Sequence, residues 1–350
     1  MKKREKVTIY DISKKLNISA ATVSRALNDN PKISKKTKEL VAKTAAEMNY
    51  KQNRLALALK KGRTNNVGII VPYIDRSFFS SVIRGIEEEL TPHGYHVIIA
   101  QSHEEVANEM EQINALLNTQ IDGIFMSVSK TTQSADHIQK VLDEKVPLVF
   151  FDRKIEVKGV SSVVLDDFKG GFMATSHLIQ EGCKRIAHLS GDVNLEIYRN
   201  RYEGYKAALK EHKIPFNPSY VLQTSSKIES GAQAVEDLWQ LEEKPDAIFA
   251  AGDYAALGAI QELKNRKINI PQEVSVVGFS NEPFTKYLES PMTSVDQTPH
   301  LMGKIAAQVF LEQVNESQNY SIEKKVVLDP ELFVRDSSNR TTLNLQNAAI

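Results

Sequence analysis

The apolar residues of the first fifty positions recur at helical spacing. Ile9, Ile12 and Leu16 lie three and four apart behind Thr8, a favoured N-capping residue. Asp11 stands three residues after Thr8, a short-acid form of the capping box. Asn17-Ile18-Ser19 interrupts the pattern, and Ser19 is placed to cap a second helix from Ala20 to Asn28. In that helix Val23, Ala26 and Leu27 share one face, and Ala21, Ser24 and Arg25 occupy the other. A third helix is expected from about Lys35 to Met48, starting near Ser34 and burying Leu40, Val41, Ala45 and Met48. The stretch 53–59 is a strong helix former, but too short to be stable alone.

From Val67 the pattern changes. Short apolar runs alternate with helix-like stretches such as 79–90 and 233–241. The runs at 67–71, 96–100, 121–128, 148–151, 162–165, 185–190, 220–223, 247–251, 274–279 and 293–295 read as strands. Strand-helix alternation predicts parallel sheets covered by helices on both faces, and ten strands divide readily into two lobes. The expected fold class is an all-α helix-turn-helix head followed by an α/β two-lobed body.

Composition adds a charge asymmetry. The 350-residue chain is neutral overall, yet residues 1–64 hold 17 Lys and Arg against 5 Asp and Glu, a net of +12. The remaining 286 hold 27 against 39, a net of −12. A basic head on an acidic body points to a polyanionic partner for the head alone. The start has basic residues without an apolar stretch behind them, which does not read as a secretory signal, and the apolar runs are too short to span a bilayer. Cys183 is the single cysteine, so neither an internal disulfide nor a cysteine zinc cluster is expected; the cytoplasm is the simplest location.

Two short helices, a tight turn and a closing third helix suit DNA. The second helix would enter the major groove by its N-terminal end. Ala20 and Ala21 are small enough for close approach and contact with thymine methyls, and Arg25 can offer its fork to guanine. Ser19, Thr22, Ser24, Lys32 and Ser34 suit phosphates, with Thr8 and Asn28 at the ends of the first two helices. A small helical protein-interaction module is the competing reading.

The runs Thr8-Ile9-Tyr10-Asp11-Ile12-Ser13, Ala21-Thr22-Val23-Ser24-Arg25-Ala26-Leu27-Asn28 and Met48-Asn49-Tyr50 resemble the lactose-repressor/galactose-repressor (LacI/GalR) family, and the likeness continues through the chain. It implies a bacterial transcription factor, dimeric on a palindromic operator and controlled by a small molecule. It also implies a hinge helix that begins at Asn53 and carries a wedge leucine, Leu59, into the minor groove. Many members have Pro before the hinge Asn where this chain has Gln52. The domains implied are a head at 1–52, a hinge and linker at 53–64, an N-lobe of 65–160 with 293–328, and a C-lobe of 161–292 with 329–345. The lobes are of the periplasmic-binding-protein type. The family's tetramerising leucine heptads are missing from 337–350, so a homodimer is expected.

Ligands of open α/β sheets sit at the carboxyl ends of strands. Those ends supply Asp75, Phe78, Phe79, Asp152, Arg153, Arg201, Asp253 and Ser280 as candidate effector contacts. Carboxylates and arginines pair with sugar hydroxyls, and an aromatic ring packs against a sugar face. The competing roles are lobe packing for the phenylalanines and helix capping for Asp152 and Asp253. Many sugar- and purine-binding members carry Asp where this chain has Ser280. The lost carboxylate argues against lactose, galactose or a purine, and beside Arg153 and Arg201 it suits an anionic ligand such as a sugar acid or sugar phosphate. A sugar, sugar acid or sugar phosphate is the effector class expected.

No catalytic residue, cofactor or metal is expected. The loop after the first strand reads Val71-Pro72-Tyr73-Ile74-Asp75, without a dinucleotide-binding glycine pattern, and no phosphate loop appears. His103-Glu104-Glu105 lacks the second His of a zinc helix, and Ser190-Gly191 is no nucleophile elbow. A transported-solute receptor would have no use for residues 1–64. Within the family, a phosphorylated carrier protein acting as corepressor is the alternative, with the surface helices 79–90 and 301–314 as its contact region.

Overall fold

The computed structural model describes residues 7–50, 63–225, 227–315 and 323–340. The chain divides into two compact units, residues 1–64 and 65–350.

Among the described residues the head has three helices, Ile9–Leu16, Ala20–Leu27 and Lys35–Glu47. The Asp11 carboxylate accepts from the Thr8 backbone N–H and from the Thr8 hydroxyl, both at 2.8 Å. Asn17 ends the first helix in the left-handed region, at φ 50°. Ser19 Oγ then accepts from Thr22 N at 3.1 Å, and Ser34 Oγ from Thr37 N at 3.3 Å, so each following helix starts on a serine cap. Ile12, Val23, Ala26, Val41 and Ala45 form the core. Leu40 was expected inside but is half exposed, because the buried stripe of its helix is centred on Val41, Thr44 and Ala45. The hinge stretch with Asn53 and Leu59, and the tail from 341, lie outside the described residues.

Among the described residues the body holds two six-stranded sheets. The first contains β1 (Asn66–Val71), β2 (His96–Gln101), β3 (Gly123–Met126), β4 (Leu148–Phe151), β5 (Ser161–Leu165) and β11 (Lys325–Leu328). Their order is β11-β5-β4-β3-β1-β2, parallel throughout. The second contains β6 (Ile186–Ser190), β7 (Val221–Gln223), β8 (Ala247–Ala250), β9 (Ser275–Phe279), β10 (Thr293–Asp296) and β12 (Glu331–Phe333). Its order is β12-β10-β9-β8-β6-β7, with only β12 antiparallel. The central strands β3, β4, β8 and β9 are buried at every position, as strands covered on both faces must be.

All ten strands read from the pattern are present, and β11 and β12 are additional. Two lobe boundaries move. The segment 161–165, assigned above to the C-lobe, pairs with β4 and β11 in the first sheet. The segment 293–296, assigned to the N-lobe, pairs with β9 and β12 in the second. The chain therefore changes sheet after β5, after β10 and after β11. An apolar run of four or five residues has the same pattern in either sheet; its pairing partners decide where it goes.

Close helix pairs brace both lobes. Between Asp167–Gln180 and Glu196–Glu211, a Cβ on Gly171 would lie 2.2 Å from the Arg201 carbonyl oxygen, and one on Gly204 would lie 2.1 Å from that of Phe168. Backbone meets backbone there, so no side chain can swing aside. We expect Gly171→Ala to destabilise the body by about 1–3 kcal/mol through overpacking. It should also separate Asp167 from Arg201. Urea unfolding of the variant checks the first effect; an unchanged midpoint would mean that the crossing yields.

Candidate functional site

In each sheet the strand order reverses beside its first strand, between β1 and β3 and between β6 and β8. The loops at the carboxyl ends of these strands border one cavity of about 470 Å3 between the lobes. That is the size of a small-molecule pocket. A second cavity of about 210 Å3 shares Asp152, Arg153, Leu195 and Ile197 with it.

Seven of the eight residues named from the sequence line the larger cavity: Phe78, Phe79, Asp152, Arg153, Arg201, Asp253 and Ser280. Asp75 is the exception. It is exposed in the loop before the helix Ser77–Leu90 and does not border the cavity. That helix instead turns its first residues inward, and Phe78 and Phe79 meet edge to face at 5.1 Å. Both rings also belong to the hydrophobic core, so packing and cleft lining coexist.

Arg201 is almost fully buried. Its Nε donates to Asp167 Oδ1 at 2.7 Å, its Nη1 to the Ala251 carbonyl at 2.8 Å and its Nη2 to Gln297 Oε1 at 3.3 Å. Its guanidinium carbon lies 3.7 Å from the Phe279 ring centre. Burial pushes the Asp167 carboxyl up to about 6, against the pull of Arg201. Arg153 is likewise engaged: its Nη1 donates to both oxygens of Glu104, at 3.0 and 2.8 Å. Burial works against its charge, but Glu104 and Asp152 outweigh that and hold it above its ordinary value. Burial raises the Asp152 carboxyl, opposed by Arg153 and by a 2.9 Å hydrogen bond from Ser127 Oγ. Ser280 Oγ accepts from Gln297 Nε2 at 2.8 Å, so Gln297 links Ser280 to Arg201.

Asp253 is a scaffold as much as a lining group. Its Oδ1 accepts from Ser294 Oγ at 2.6 Å and its Oδ2 from Glu282 N at 2.7 Å. Gly278 leaves it room, since a Cβ there would lie 2.1 Å from Oδ1. Burial pushes Asp253 up to about 7, above what these hydrogen bonds pull down. A carboxyl with a raised folded-state value makes the fold less stable as pH rises from about 4 through about 7. Relative to Asp253→Asn, the wild type should therefore gain about 1 kcal/mol between pH 8 and pH 6. Parallel pH dependences of the two proteins in chemical denaturation would remove Asp253 as the cause.

Several contacts join the lobes across the cleft, among them a 3.4 Å ion pair between Lys154 Nζ and Glu196 Oε2. Ser77 Oγ donates to Glu282, and the Arg76 guanidinium stacks 4.3 Å from the Tyr254 ring centre. Glu104, Asp167, Glu282 and Gln297 are not among the effector contacts expected from the sequence. Glu104 and Asp167 do follow predicted strands, so the strand-end rule reaches them; that each faces an arginine does not show in one dimension.

In the head, Ala21 and Arg25 are exposed, while Ala20, Thr22 and Ser24 are half-buried. Thr8, Ser19, Asn28, Lys32 and Ser34 are all exposed. Asn28 Nδ2 donates to the Ser24 carbonyl at 2.7 Å and closes the end of the second helix. Among the described residues no group of His, Cys, Asp and Glu is placed to hold a metal, and no helix is long and apolar enough to cross a membrane.

A helix-turn-helix head and a two-lobed body with a polar cleft at the strand ends define a ligand-binding DNA regulator. Residues 8–53 match the family model described as bacterial regulatory proteins, lacI family. Residues 64–328 match the one for periplasmic binding proteins and the sugar binding domain of the LacI family. The chain belongs to the LacI family, as a DNA-binding transcriptional repressor with a sugar-binding-type body. It is 33% identical to the catabolite control protein A of Priestia megaterium, over 88% of this chain and 93% of that protein. Among solved structures, a transcriptional regulator CelR in complex with cellobiose is 28% identical, with a TM-score of 0.70, over 95% of this chain and 100% of that one. The lac repressor dimer bound to operator and an anti-inducer has the same fold at 23% identity, with a TM-score of 0.84, over 95% of this chain and 99% of that one.

Proposed function

We propose that the protein binds a palindromic operator as a homodimer in the cytoplasm, and that a sugar or sugar derivative in the inter-lobe cleft changes its operator affinity. The observation that carries this reading is the convergence of strand ends from both lobes on one cavity that mixes aromatic rings with hydrogen-bonding groups. A ligand there touches both lobes, so its binding energy depends on their relative position, which is the requirement for allosteric control. The cellobiose complex of the similar regulator supports the ligand class.

In this reading Ala20, Ala21 and Arg25 contact base edges. Thr8, Ser19, Thr22, Ser24, Asn28, Lys32 and Ser34 hold phosphates. Asn53 and Leu59 belong to a hinge helix that orders on the operator. Dimerisation is supported by the edge strand β2, which leaves Ile98 and Ile99 exposed beside the helix Val106–Asn118 and its exposed Met110.

The test has two arms on the full chain. Selection from random duplex DNA should return a palindrome, and a panel of sugars should include one that changes affinity for it by roughly 5–150-fold. Sequence-indifferent DNA binding, or a sugar that binds without changing DNA affinity, would refute the proposal.

A further inference from the structure

Three arginines line the cleft. Arg76 lies over the Tyr254 ring; the two buried ones, Arg153 and Arg201, would ordinarily mark a place for anions, yet each is held by a carboxylate. For Arg201 that partner is Asp167, buried in the same lobe. For Arg153 it is Glu104, and the backbone around Glu104 is unusual. His103 and Glu104 both adopt left-handed conformations, with φ 53° and 64°, which non-glycine residues seldom take. Such geometry persists where its surroundings enforce it.

The enforcing contacts are present. Glu104 Oε2 accepts from the Lys130 backbone N–H at 2.9 Å, and the Glu104 carbonyl accepts from Thr131 Oγ1 at 3.2 Å. Thr131 Oγ1 in turn accepts from Val106 N at 2.8 Å, and Ser102 and Ser129 meet through their hydroxyls at 2.8 Å. Below them the buried Glu109 accepts from Ser129 N at 2.6 Å and from Thr132 Oγ1 at 3.0 Å. The loops after β2 and β3 are thus tied together in a way that aims one carboxylate at Arg153. On the guanidinium, Nε is buried without a hydrogen-bond partner, and Asp152 Oδ2 is 3.8 Å away. Of the other cations that line the cavity, Arg76 is half-buried with its face on the Tyr254 ring, and Lys130 and Lys227 are exposed, where water and salt screen them.

We propose that Glu104 is a specificity-determining residue that occupies Arg153 and makes the cleft select neutral polyhydroxylated ligands over carboxylated or phosphorylated ones. It acts through Arg153, as a built-in anion in the position that an anionic ligand would take. The inference rests on the reading of this cleft as the effector site. It reverses the sequence-based weight given to sugar acids and sugar phosphates.

Calorimetric titration of the full chain tests it, with D-glucose 6-phosphate, D-gluconate and inorganic phosphate as anionic probes and cellobiose as the neutral one. The wild type should show no saturable binding of the anions at millimolar concentration. Glu104→Gln removes the competing charge and should bind at least one of them with an affinity raised by about tenfold or more. Adding Arg153→Gln to that variant should abolish the gain, which a general loosening of the fold would not do. Should Glu104→Gln fail to fold, Glu104→Asp, with its carboxylate drawn back by one methylene, should show the same gain at smaller size.

Anion binding by the wild type as tight as by the variant would overturn the proposal. So would a folded variant with no gain, or a gain that survives the loss of Arg153. The effector reading fails separately: if no neutral sugar binds the wild type while the variant still acquires anions, the sugar assignment falls and the role of Glu104 stands.

Discussion

Arg201→Ala is expected to destabilise the body by about 3–5 kcal/mol and to abolish its response to effector. The physical reason is Asp167. Its carboxylate is as buried as the guanidinium that it meets at 2.7 Å. Removing one member of a buried pair leaves the other desolvated and without its partner, to remain charged or to take up a proton at a cost, and breaking such a pair costs about that amount. The variant also releases the Ala251 carbonyl and Gln297, both at the cleft wall. Arg201→Met combined with Asp167→Leu separates the two consequences. Replacing both partners with apolar groups should restore most of the stability, but not effector binding. Urea unfolding and calorimetry on the same samples read both quantities. A double variant as unstable as Arg201→Ala would show that the pair is not the cause.

Arg25→Ala is expected to leave the fold intact and to weaken specific DNA binding by about 1–3 kcal/mol per head. Arg25 is exposed and packs into no core, so its removal carries little folding cost. On the proposed dimer and palindrome the contact is lost twice, so the total reaches about 2–6 kcal/mol if the heads act independently. The loss should be concentrated at one base pair in each half-site, with relaxed preference there. Lys32→Ala should instead weaken all sequences alike and reduce the salt dependence. Fluorescence anisotropy against the selected operator and its single-base variants checks this. Uniform weakening by Arg25→Ala would make Arg25 a phosphate contact.

The head was legible in one dimension because its determinants are local. Thr8 with Asp11, Ser19 and Ser34 announce three helix starts within a few residues of each helix, and Ile12, Val23, Val41 and Ala45 repeat at helical spacing. The charge asymmetry marks the partner of that head without any contact being known. The strands of the body were legible for a similar reason, since 69–71, 124–126 and 276–279 are continuous apolar runs that only a covered sheet can use. The carboxyl-end rule then listed most of the cleft wall.

The rest depends on residues far apart in the chain. Arg153 and Glu104 are 49 positions apart, Arg201 and Gln297 are 96 apart, and Ser77 and Glu282 are 205 apart. No local pattern encodes which carboxylate faces which arginine, so two cations that read as anion receptors become half of two neutral pairs. The same limit moved the lobe boundaries at β5 and β10, because a strand's sheet is set by its hydrogen-bonding neighbours. It also hid the Gly171–Gly204 crossing, where the absence of two side chains lets one helix carry Arg201 to its place. Periodicity and capping act within a turn or two of chain, and they settle elements. Charge pairing, strand pairing and close helix contact act through space, and here they settle which groups face one another in the cleft.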